Sequence, residues 1–253
     1  MNCNMVTFFQ MCIRDSYTQV NRDNFKLFGI QKVSLLDYPG KVATTLFTGG
    51  CNFRCPFCHN SDLVYLSENT SELSMTQIME YLKKRSNVLD GVCVSGGEPL
   101  MHELKPFLWK IKHLGYQVKL DTNGSYPSQL KELIEEGLVD YVAMDVKNGK
   151  SRYGETIGIE SFDITPIIES ISYLKTCGIP YEFRTTLVQE FHGEQEIKEL
   201  KELLSGAKRL VLQKFEEKET VIQKGLHPVC DEMMKTYQKE LSNVIECVEL
   251  RGL

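Results

Sequence analysis

The sequence predicts an α/β fold, a partial (β/α)6 open barrel. From residue 42 onward, short runs of β-branched and apolar residues alternate with amphipathic helical segments. Such alternation is typical of parallel strands, because parallel neighbours need a crossover connection and a helix supplies it. The alternating part spans about 170 residues, whereas a closed barrel of eight units takes about 250. An open, partial barrel therefore fits better than a closed one.

Six segments are predicted as strands buried on both faces, because they are apolar or β-branched. They are residues 42–48, 91–94, 117–120, 139–144, 181–187 and 209–212. Between them, apolar residues spaced three and four apart predict five helices. These helices begin near Met75, Leu104, Ser128, Thr165 and Ile197. Ser74 and Gln77 form a capping-box pattern at the first of them.

Three regions are predicted along the chain. Residues 25–215 form the barrel, and residues 216–253 form a C-terminal extension that packs on it, with a helix near 231–241 and a strand near 244–250. Residues 1–24 show neither helical nor strand periodicity, and residues 11–16 resemble a translated sequencing adapter. We interpret residues 1–24 as an assembly artefact or a disordered lead-in. Neither Cys3 nor Cys12 is therefore expected to be a ligand.

The composition excludes several classes of function. A net charge of −5 supplies no basic field for nucleic acid. No apolar run approaches the roughly 18 to 20 residues that span a membrane. The nine cysteines are an odd number and are scattered outside one cluster. This pattern argues against a disulfide framework and predicts a cytoplasmic protein in a reducing compartment.

The cysteine cluster is the most informative motif of the chain. Cys51, Cys55 and Cys58 lie within eight residues, directly after the first predicted strand. Such spacing lets one loop wrap three thiolates around a single inorganic centre. Four cysteines complete an iron–sulfur cluster or a tetrahedral zinc site. Three cysteines leave one metal position open, and an open position is where chemistry takes place.

Unusual polar residues also follow the later strands. Residues 95–99 (Ser-Gly-Gly-Glu-Pro) follow the second strand, residues 121–124 (Asp-Thr-Asn-Gly) the third, and residues 145–147 (Asp-Val-Lys) the fourth. Arg184 lies within the fifth. The carboxyl ends of parallel strands meet at one mouth of a barrel, where active sites form. We therefore expect these residues to converge with the cysteines.

Taken together, these motifs resemble those of one known superfamily. Cys-x3-Cys-x2-Cys followed by Gly-Gly-Glu-Pro resembles the radical S-adenosylmethionine (SAM) superfamily. The Asp-Thr-Asn-Gly segment, the Cys-His-Asn end of the cluster loop and Leu-Asp-Tyr-Pro-Gly at residues 36–40 narrow the resemblance. The chain looks like the activating enzymes of glycyl-radical proteins, most closely those of anaerobic ribonucleoside-triphosphate reductase, over about residues 28–253. The resemblance implies a partial barrel of the radical SAM type, with a 4Fe–4S cluster on Cys51, Cys55 and Cys58.

The resemblance also implies a SAM site. Nine residues are assigned to it: Phe57, Gly96, Gly97, Glu98, Asp121, Thr122, Asp145, Lys147 and Arg184. SAM would bind the fourth iron through its amino and carboxylate groups. Gly96 and Gly97 have no side chains, so the backbone there can approach the methionine moiety. Glu98 is placed to accept a charge-assisted hydrogen bond from the ammonium group.

Four of the other six assigned residues have two interpretations. Phe57 packs either on the adenine or only within its loop. Asp121 and Thr122 are expected to hold the ribose, the sulfonium or a nearby cation. Asp145 and Lys147 are expected to converge from the strand after that of Asp121, and Arg184 is expected to contact the SAM carboxylate. For these last three residues the alternative is a structural ion pair at the mouth of the barrel.

The remaining cysteines and His59 are predicted to have supporting roles. The cysteines at positions 93, 177, 230 and 247 are isolated and form no second Cys-x2-Cys, so an auxiliary cluster is not expected. Cys93 and Cys247 lie in apolar strand runs, which is typical of small core residues. His59 adjoins Cys58 and is expected to hydrogen-bond near the cluster rather than to bind it.

The predicted function is that of a radical SAM activase. A 5′-deoxyadenosyl radical from reductive SAM cleavage would take a Cα hydrogen from a glycine of a partner protein, anaerobic ribonucleotide reductase. The electron would come from a donor such as flavodoxin or ferredoxin. One alternative is a superfamily member acting on a small molecule, as in deazapurine biosynthesis. Another is a zinc-stabilised binding module built on the three cysteines and His59, although zinc explains neither residues 96–99 nor residues 121–124.

Overall fold

The computed structural model of the chain describes residues 25–67 and 70–253. The predictions for residues 1–24, Cys3 and Cys12 lie outside them. One sheet of eight strands in sequential order runs through this part of the chain. Its strands are β1 (Leu27–Ser34), β2 (Ala43–Thr48), β3 (Gly91–Gly96), β4 (Gln117–Thr122), β5 (Tyr141–Asp145), β6 (Tyr181–Leu187), β7 (Arg209–Lys214) and β8 (Cys247–Arg251).

The prediction of a partial open barrel is confirmed, and the sheet is wider than expected. All neighbours from β2 to β8 pair in parallel, and β1 pairs antiparallel with β2. No ladder joins β1 to β8 among the described residues, so the barrel stays open between these two edges. The strand β1 was not predicted, because much of it is half-exposed and its apolar residues do not alternate. The expected last strand extends the sheet as β8.

The helices lie mainly in the crossovers between strands. They are α1 (Ser61–Val64), α2 (Met75–Arg85), α3 (Lys105–His113), α4 (Pro127–Glu135), α5 (Tyr153–Thr156), α6 (Thr165–Leu174), α7 (Glu194–Leu204) and α8 (Asp231–Leu241), with a short 3-10 helix at Pro99–Met101. The five predicted crossover helices are confirmed as α2, α3, α4, α6 and α7. The Ser74 hydroxyl caps α2 by accepting the Gln77 N–H at 3.4 Å. No helix among the described residues is long and apolar enough to cross a membrane.

The two faces of the sheet differ in polarity. Val118 and Leu120 on β4 and Phe183 on β6 are fully buried in the apolar core that also contains the helices. The alternate residues of β4, Lys119 and Asp121, line cavities instead. Because side chains of a strand alternate between its faces, this pattern places the polar residues inside the barrel. These strands are therefore buried on both faces, as predicted, but one of the two faces is polar.

The segment between β1 and β2 closes the amino-terminal end of the barrel. Tyr38 is 3% exposed, and its ring centre lies 5.7 Å from that of Tyr141 at the start of β5. A Cβ on Gly91, the first residue of β3, would lie 2.9 Å from the Tyr38 ring. Glycine at that position therefore leaves room for the Tyr38 ring. The Leu-Asp-Tyr-Pro-Gly motif thus closes one end of the barrel.

Two isolated cysteines lie in different environments. Cys93 is fully buried on β3, as predicted. The prediction that Cys247 belongs to the core is wrong, because its side chain is exposed at the first residue of β8. An edge strand is covered on fewer sides than a central one, so an apolar run there does not ensure burial.

Candidate functional site

A cavity of about 470 Å³ lies at the carboxyl ends of the strands. It is lined by residues at the carboxyl ends of β3, β4 and β5 and by residues of the cysteine loop. Of the twelve site residues predicted from the sequence, eleven line it: Cys51, Cys55, Phe57, Cys58, Gly96, Gly97, Asp121, Thr122, Asp145, Lys147 and Arg184. The parallel register therefore brings together motifs that are more than 130 residues apart in the chain.

The cysteine loop is held in place by backbone hydrogen bonds. The N–H of Cys58 donates to the carbonyl of Cys55 at 3.0 Å, which forms a tight turn. The N–H of Arg54 donates to Ile157, just after α5, at 2.8 Å. The N–H of Gln223 donates to Pro56 at 2.8 Å. The loop is thus anchored both to the barrel and to the C-terminal segment.

Aromatic contacts add to this anchoring. The Phe53 ring packs edge-on against Phe162, with centroids 5.4 Å apart, and the buried Phe57 ring lies 5.9 Å from Phe191. Phe57 also lines the cavity, so its position is compatible with both predicted roles. The His59 ring stacks on Phe215, and its Nε2 lies 2.7 Å from the carbonyl oxygen of Glu216. His59 therefore connects the loop to the end of β7.

Burial affects the acidity of two of the three cysteines in the loop. Burial raises the pKa of the Cys55 thiol to about 12, and the nearby Lys147 offsets only part of this effect. Burial also raises the pKa of Cys51. Within residues 25–67 and 70–253, no three Cys, His, Asp or Glu side chains are placed to share one metal ion.

Two glycines let the end of β3 lie directly against its neighbours. A Cβ on Gly97 would be 1.8 Å from the carbonyl oxygen of Gly50, and one on Gly96 would be 2.3 Å from that of Thr48. The N–H of Gly97 donates to Thr48 at 3.0 Å, and the N–H of Glu98 donates to Gly50 at 2.8 Å. Besides any approach to a ligand, these glycines are needed for the packing of β3 on the cysteine loop.

Glu98 is the one predicted site residue that does not line the cavity. Its side chain is fully buried, and its carboxylate accepts hydrogen bonds from the Leu100 N–H, the Thr122 hydroxyl and the Asn123 N–H at 3.0, 2.8 and 2.6 Å. Burial raises the pKa of Glu98 to about 7, although these hydrogen bonds favour the ionised form. The carboxylate therefore orients the start of the Asp-Thr-Asn-Gly segment.

Charged side chains form a connected network along the cavity wall. The Arg184 Nε donates to Asp145 at 2.7 Å, and its Nη1 lies 3.3 Å from Asp121. Lys147 donates to Asp145 at 3.0 Å, and Lys119 pairs closely with Asp121. Burial disfavours ionised carboxylates, but Arg184 and the two lysines outweigh this effect and hold the pKa values of both aspartates below their ordinary range. The structural ion pairs considered as an alternative are therefore present.

Several contributors to the site were not predicted. Lys119 is 1% exposed, and it lies on the same face of β4 as Asp121, which strand alternation could have shown. The Asn60 amide donates to the carbonyl of Gly96 at 3.3 Å, and the Asn123 amide donates to Asn52 at 2.9 Å. These amides tie the cysteine loop to the motifs after β3 and β4. No local pattern in the sequence predicts such pairings.

The fold and the site together define a class of protein. The chain belongs to the radical SAM superfamily, which matches residues 45–204. Members of this superfamily use a 4Fe–4S cluster and SAM, the two cofactors that the motifs predicted. The chain is accordingly an enzyme of the radical SAM type.

Relatives place it more narrowly. A Methanocaldococcus jannaschii protein that carries the name of a glycyl-radical enzyme activating enzyme is 32% identical over 196 residues, which are 76% of this chain and 80% of that protein. The chain therefore belongs to the family of glycyl-radical enzyme activating enzymes. The pyruvate formate-lyase-activating enzyme of Staphylococcus aureus is 31% identical over 137 residues, 48% of this chain and 53% of that enzyme.

Solved structures agree on the fold. SuiB of Streptococcus suis bound to S-adenosylmethionine aligns with a TM-score of 0.61 at 15% identity. The alignment covers 80% of this chain and 48% of SuiB, so the chain spans about half the length of that protein. At this identity the match shows the shared barrel and no more.

Proposed function

We propose that this protein generates a glycyl radical on a partner protein, and that the partner is anaerobic ribonucleoside-triphosphate reductase. The observation that carries the proposal is the single cavity shared by three cysteine thiols, the Gly-Gly segment and the Asp-Thr-Asn-Gly segment. The family of the relatives supports a glycyl-radical protein as substrate. The choice of the reductase rests on the resemblance of the sequence motifs.

The residues divide into two groups in this proposal. Cys51, Cys55 and Cys58 would hold the 4Fe–4S cluster, and the other residues of the cavity wall would hold SAM beside it. When bound, the cluster would supply the electron for reductive cleavage of SAM, and SAM would supply the radical chemistry that removes a hydrogen atom from a glycine Cα. A donor such as flavodoxin or ferredoxin supplies that electron.

The cavity wall positions SAM. Phe57 offers an apolar surface to the adenine, and the backbone at Gly96 and Gly97 faces the methionine moiety. Asp121 and Thr122 would hold the ribose, the sulfonium or a nearby cation. Asp145, Lys147 and Arg184 complete the charged side of the cavity. Glu98 contributes indirectly, because it fixes Thr122 and the backbone of Asn123.

The organisation of the chain fits this role. Residues 25–215 form the barrel, and residues 216–253 form an extension whose α8 and β8 cover its last strand. The contacts of His59 with Phe215 and Glu216 support this arrangement, since they place the start of the extension beside the cysteine loop. All seven cysteines of the described residues are free, which suits a reducing cytoplasm.

The proposal is tested by anaerobic reconstitution with iron and sulfide. We expect a brown protein that cleaves SAM when reduced, and we expect Cys58→Ala to abolish both the cluster absorption and the cleavage. Cys230→Ala is the matched control, because Cys230 is isolated and exposed. A Cys58→Ala variant that retained both properties would refute the ligand assignment. A colourless wild-type protein that holds one zinc ion and cleaves no SAM would refute the proposed enzymatic activity.

The partner is tested by mixing the reconstituted enzyme, SAM and a reductant with purified anaerobic ribonucleoside-triphosphate reductase. Electron paramagnetic resonance should then show a persistent glycyl doublet on the reductase. Rapid SAM cleavage without a doublet on this or any other glycyl-radical protein would favour a small-molecule substrate instead.

A further inference from the structure

Three polar side chains, those of Asn52, Asn123 and Ser125, join the cysteine loop to the segment after β4. We call them the asparagine junction. Asn52 directly follows the first cysteine of the loop, whereas Asn123 belongs to the Asp-Thr-Asn-Gly segment and Ser125 follows it. Asn123 also lines the cavity that contains the three cysteines. The junction therefore lies between the predicted iron ligands and the predicted SAM site.

The junction is a closed circuit of hydrogen bonds. The Asn52 amide donates to the Ser125 hydroxyl at 2.9 Å, and that hydroxyl donates to the Asn123 Oδ1 at 2.6 Å. The Asn123 amide donates in turn to the Asn52 Oδ1 at 2.9 Å. The backbone N–H of Ser125 donates to the Asn123 Oδ1 as well, at 3.0 Å. Since a backbone N–H can only donate, the Asn123 oxygen faces Ser125, and the Asn123 NH2 group faces the cysteine loop.

The NH2 group of Asn123 has two N–H bonds and two neighbours in the cysteine loop. One neighbour is the Asn52 oxygen, and the other is the Cys51 sulfur, which lies 4.0 Å from the Asn123 nitrogen. The backbone N–H of Phe53 donates to the same sulfur at 3.4 Å. The Cys51 sulfur therefore accepts from one backbone donor and one side-chain donor.

Asn123 is also held through its backbone. The residue is 6% exposed, and its N–H donates to the fully buried Glu98 carboxylate at 2.6 Å. The Thr122 hydroxyl donates to the other oxygen of that carboxylate at 2.8 Å. The Asn123 amide is thus fixed from both ends, by Glu98 on the backbone and by Ser125 on the side chain. In a buried site of low dielectric, a fixed donor of this kind acts strongly on charge at a neighbouring atom.

Resting on the assignment of the cluster to the three cysteines in the proposed function, we propose that Asn123 is a positioning residue that raises the reduction potential of the cluster through the Cys51 sulfur. Reduction adds one electron from the external donor and breaks no bond. The added negative charge is shared by the thiolates, and an N–H donor stabilises it. The Asn123 amide therefore favours the reduced state. A junction that only fixed the loop would leave the potential unchanged.

The test compares Asn123→Ala with Asn52→Ala in the full-length, cluster-loaded enzyme. Both variants remove the hydrogen bond between the two amides, but only Asn123→Ala removes the donor to the Cys51 sulfur. At the ambient potential that half-reduces the wild-type cluster, the ratio of reduced to oxidised cluster in Asn123→Ala should fall at least about threefold. For a one-electron couple this is a shift of about 28 mV to lower potential. In Asn52→Ala the ratio, read by electron paramagnetic resonance, should not fall below that of the wild type.

A spectroscopic measurement keeps the test independent of how well Asn123→Ala folds. Asparagine labelled with nitrogen-15 in its side-chain amide is incorporated into the protein, and the reduced cluster is examined by pulsed electron paramagnetic resonance. Spin density on the Cys51 sulfur should give a nitrogen coupling in the wild type. Asn52→Ala should retain this coupling, and so should Asn60→Ala, which removes the loop amide that donates to Gly96. A coupling that is absent from the wild type, or lost in either of these variants, overturns the proposal.

The outcomes distinguish this proposal from the proposed function. A wild-type enzyme that binds no 4Fe–4S cluster overturns the ligand assignment and with it the role of Asn123. A wild-type enzyme that binds the cluster and cleaves SAM, while Asn123→Ala has the wild-type potential, overturns only the role of Asn123. A potential that falls equally in Asn123→Ala and Asn52→Ala also overturns this role, because the loss then follows the connection between the two segments.

Discussion

At the residue scale, the site depends on glycines, which lack a side chain, as much as on its polar residues. Gly96 has a φ of +117°, a conformation that L side chains rarely adopt, and Gly97 lies against the carbonyl oxygen of Gly50. Glu98 follows directly and turns its carboxylate towards the segment after β4. Three consecutive residues thus join β2, β3 and β4 at the point where the cysteine loop begins.

Gly97→Ala should destabilise the protein and reduce the amount of cluster it binds. The new Cβ would lie 1.8 Å from a backbone oxygen, so the end of β3 or the cysteine loop must move. We expect a loss of about 1–3 kcal/mol in the free energy of unfolding, as is usual for overpacking. Denaturant unfolding and the cluster absorbance per chain measure the two effects.

Gly193→Ala is the control, because a Cβ there would meet only the end of the flexible Glu196 side chain, at 3.0 Å. Equal stability and equal cluster content in the two variants would show that the contact between Gly97 and Gly50 is unimportant.

At the element scale, the connection after β5 is held by a buried histidine. The Nε2 of His192 lies 2.9 Å from the carbonyl oxygen of Lys147, and its Nδ1 lies 3.1 Å from the N–H of Val188. A neutral ring with the proton on Nε2 satisfies both neighbours, since it donates to the carbonyl and accepts from the N–H. Burial lowers the pKa of His192, although the carbonyl oxygens of Lys147 and Val188, 2.9 and 3.1 Å from its two ring nitrogens, act in the opposite direction. This neutral ring fixes the backbone that presents Lys147 to the cavity.

Acid should therefore weaken the fold through His192. Because its pKa is lower in the folded than in the unfolded state, the unfolded chain takes up the proton first as the pH falls. The contribution of His192 to stability is complete above the ordinary histidine pKa of about 6.5 and is lost below it. We expect the contribution of His192 to fall between pH 7.5 and 5.5, by at most about 1.4 kcal/mol per pH unit for one proton. Glu98, whose pKa burial raises to about 7, contributes in the opposite direction over the same interval, so the His192 term is read from the difference between variant and wild type.

Urea unfolding at the two pH values tests this prediction with His192→Gln, which should show a smaller loss on acidification. His113→Gln, which changes an exposed histidine on α3, should keep the wild-type dependence. If His192→Gln were as sensitive to acid as the wild type, other groups would be responsible.

At the scale of the whole molecule, one apolar core joins the two ends of the sheet. Leu241 of α8 and Phe107 of α3 belong to the same cluster of buried side chains, although β3 and β8 are five strands apart in the sheet. The C-terminal segment contributes further fully buried residues, among them Met234. The barrel and its extension should therefore unfold together.

Leu241→Ala should lower the unfolding free energy of the entire molecule by about 2–5 kcal/mol, the usual cost of a cavity at a buried leucine. Trp109, the only tryptophan of the chain, lies in α3 and reports on a distant part of the core. Its fluorescence and the far-ultraviolet circular dichroism should lose their native signals at the same, lower denaturant concentration.

Leu253→Ala is the control, since Leu253 is 54% exposed and its loss should change stability by no more than about 0.5 kcal/mol. An unchanged tryptophan transition in Leu241→Ala would instead mean that the C-terminal segment unfolds separately.

Much of the fold was predictable because its signals are local. The spacing of Met75, Ile78 and Leu82 shows the helix α2 without any knowledge of its neighbours, and Ser74 marks its start. The edge strand β1 escaped prediction because its side chains are covered on one side only, which weakens the apolar pattern. For the same reason the apolar run around Cys247 did not indicate an exposed position.

For the candidate site, too, only the features that lie within short segments were predictable. The sequence alone determined the class of chemistry, since the spacing of Cys51, Cys55 and Cys58 and the motifs after β3 and β4 are properties of short segments. Only the tertiary structure decided that the Glu98 carboxylate binds the segment after β4 instead of lining the cavity, and that Arg184 joins Asp121 to Asp145. The physical reason is that these relations depend on the register between strands, which bring together side chains that lie far apart in the chain.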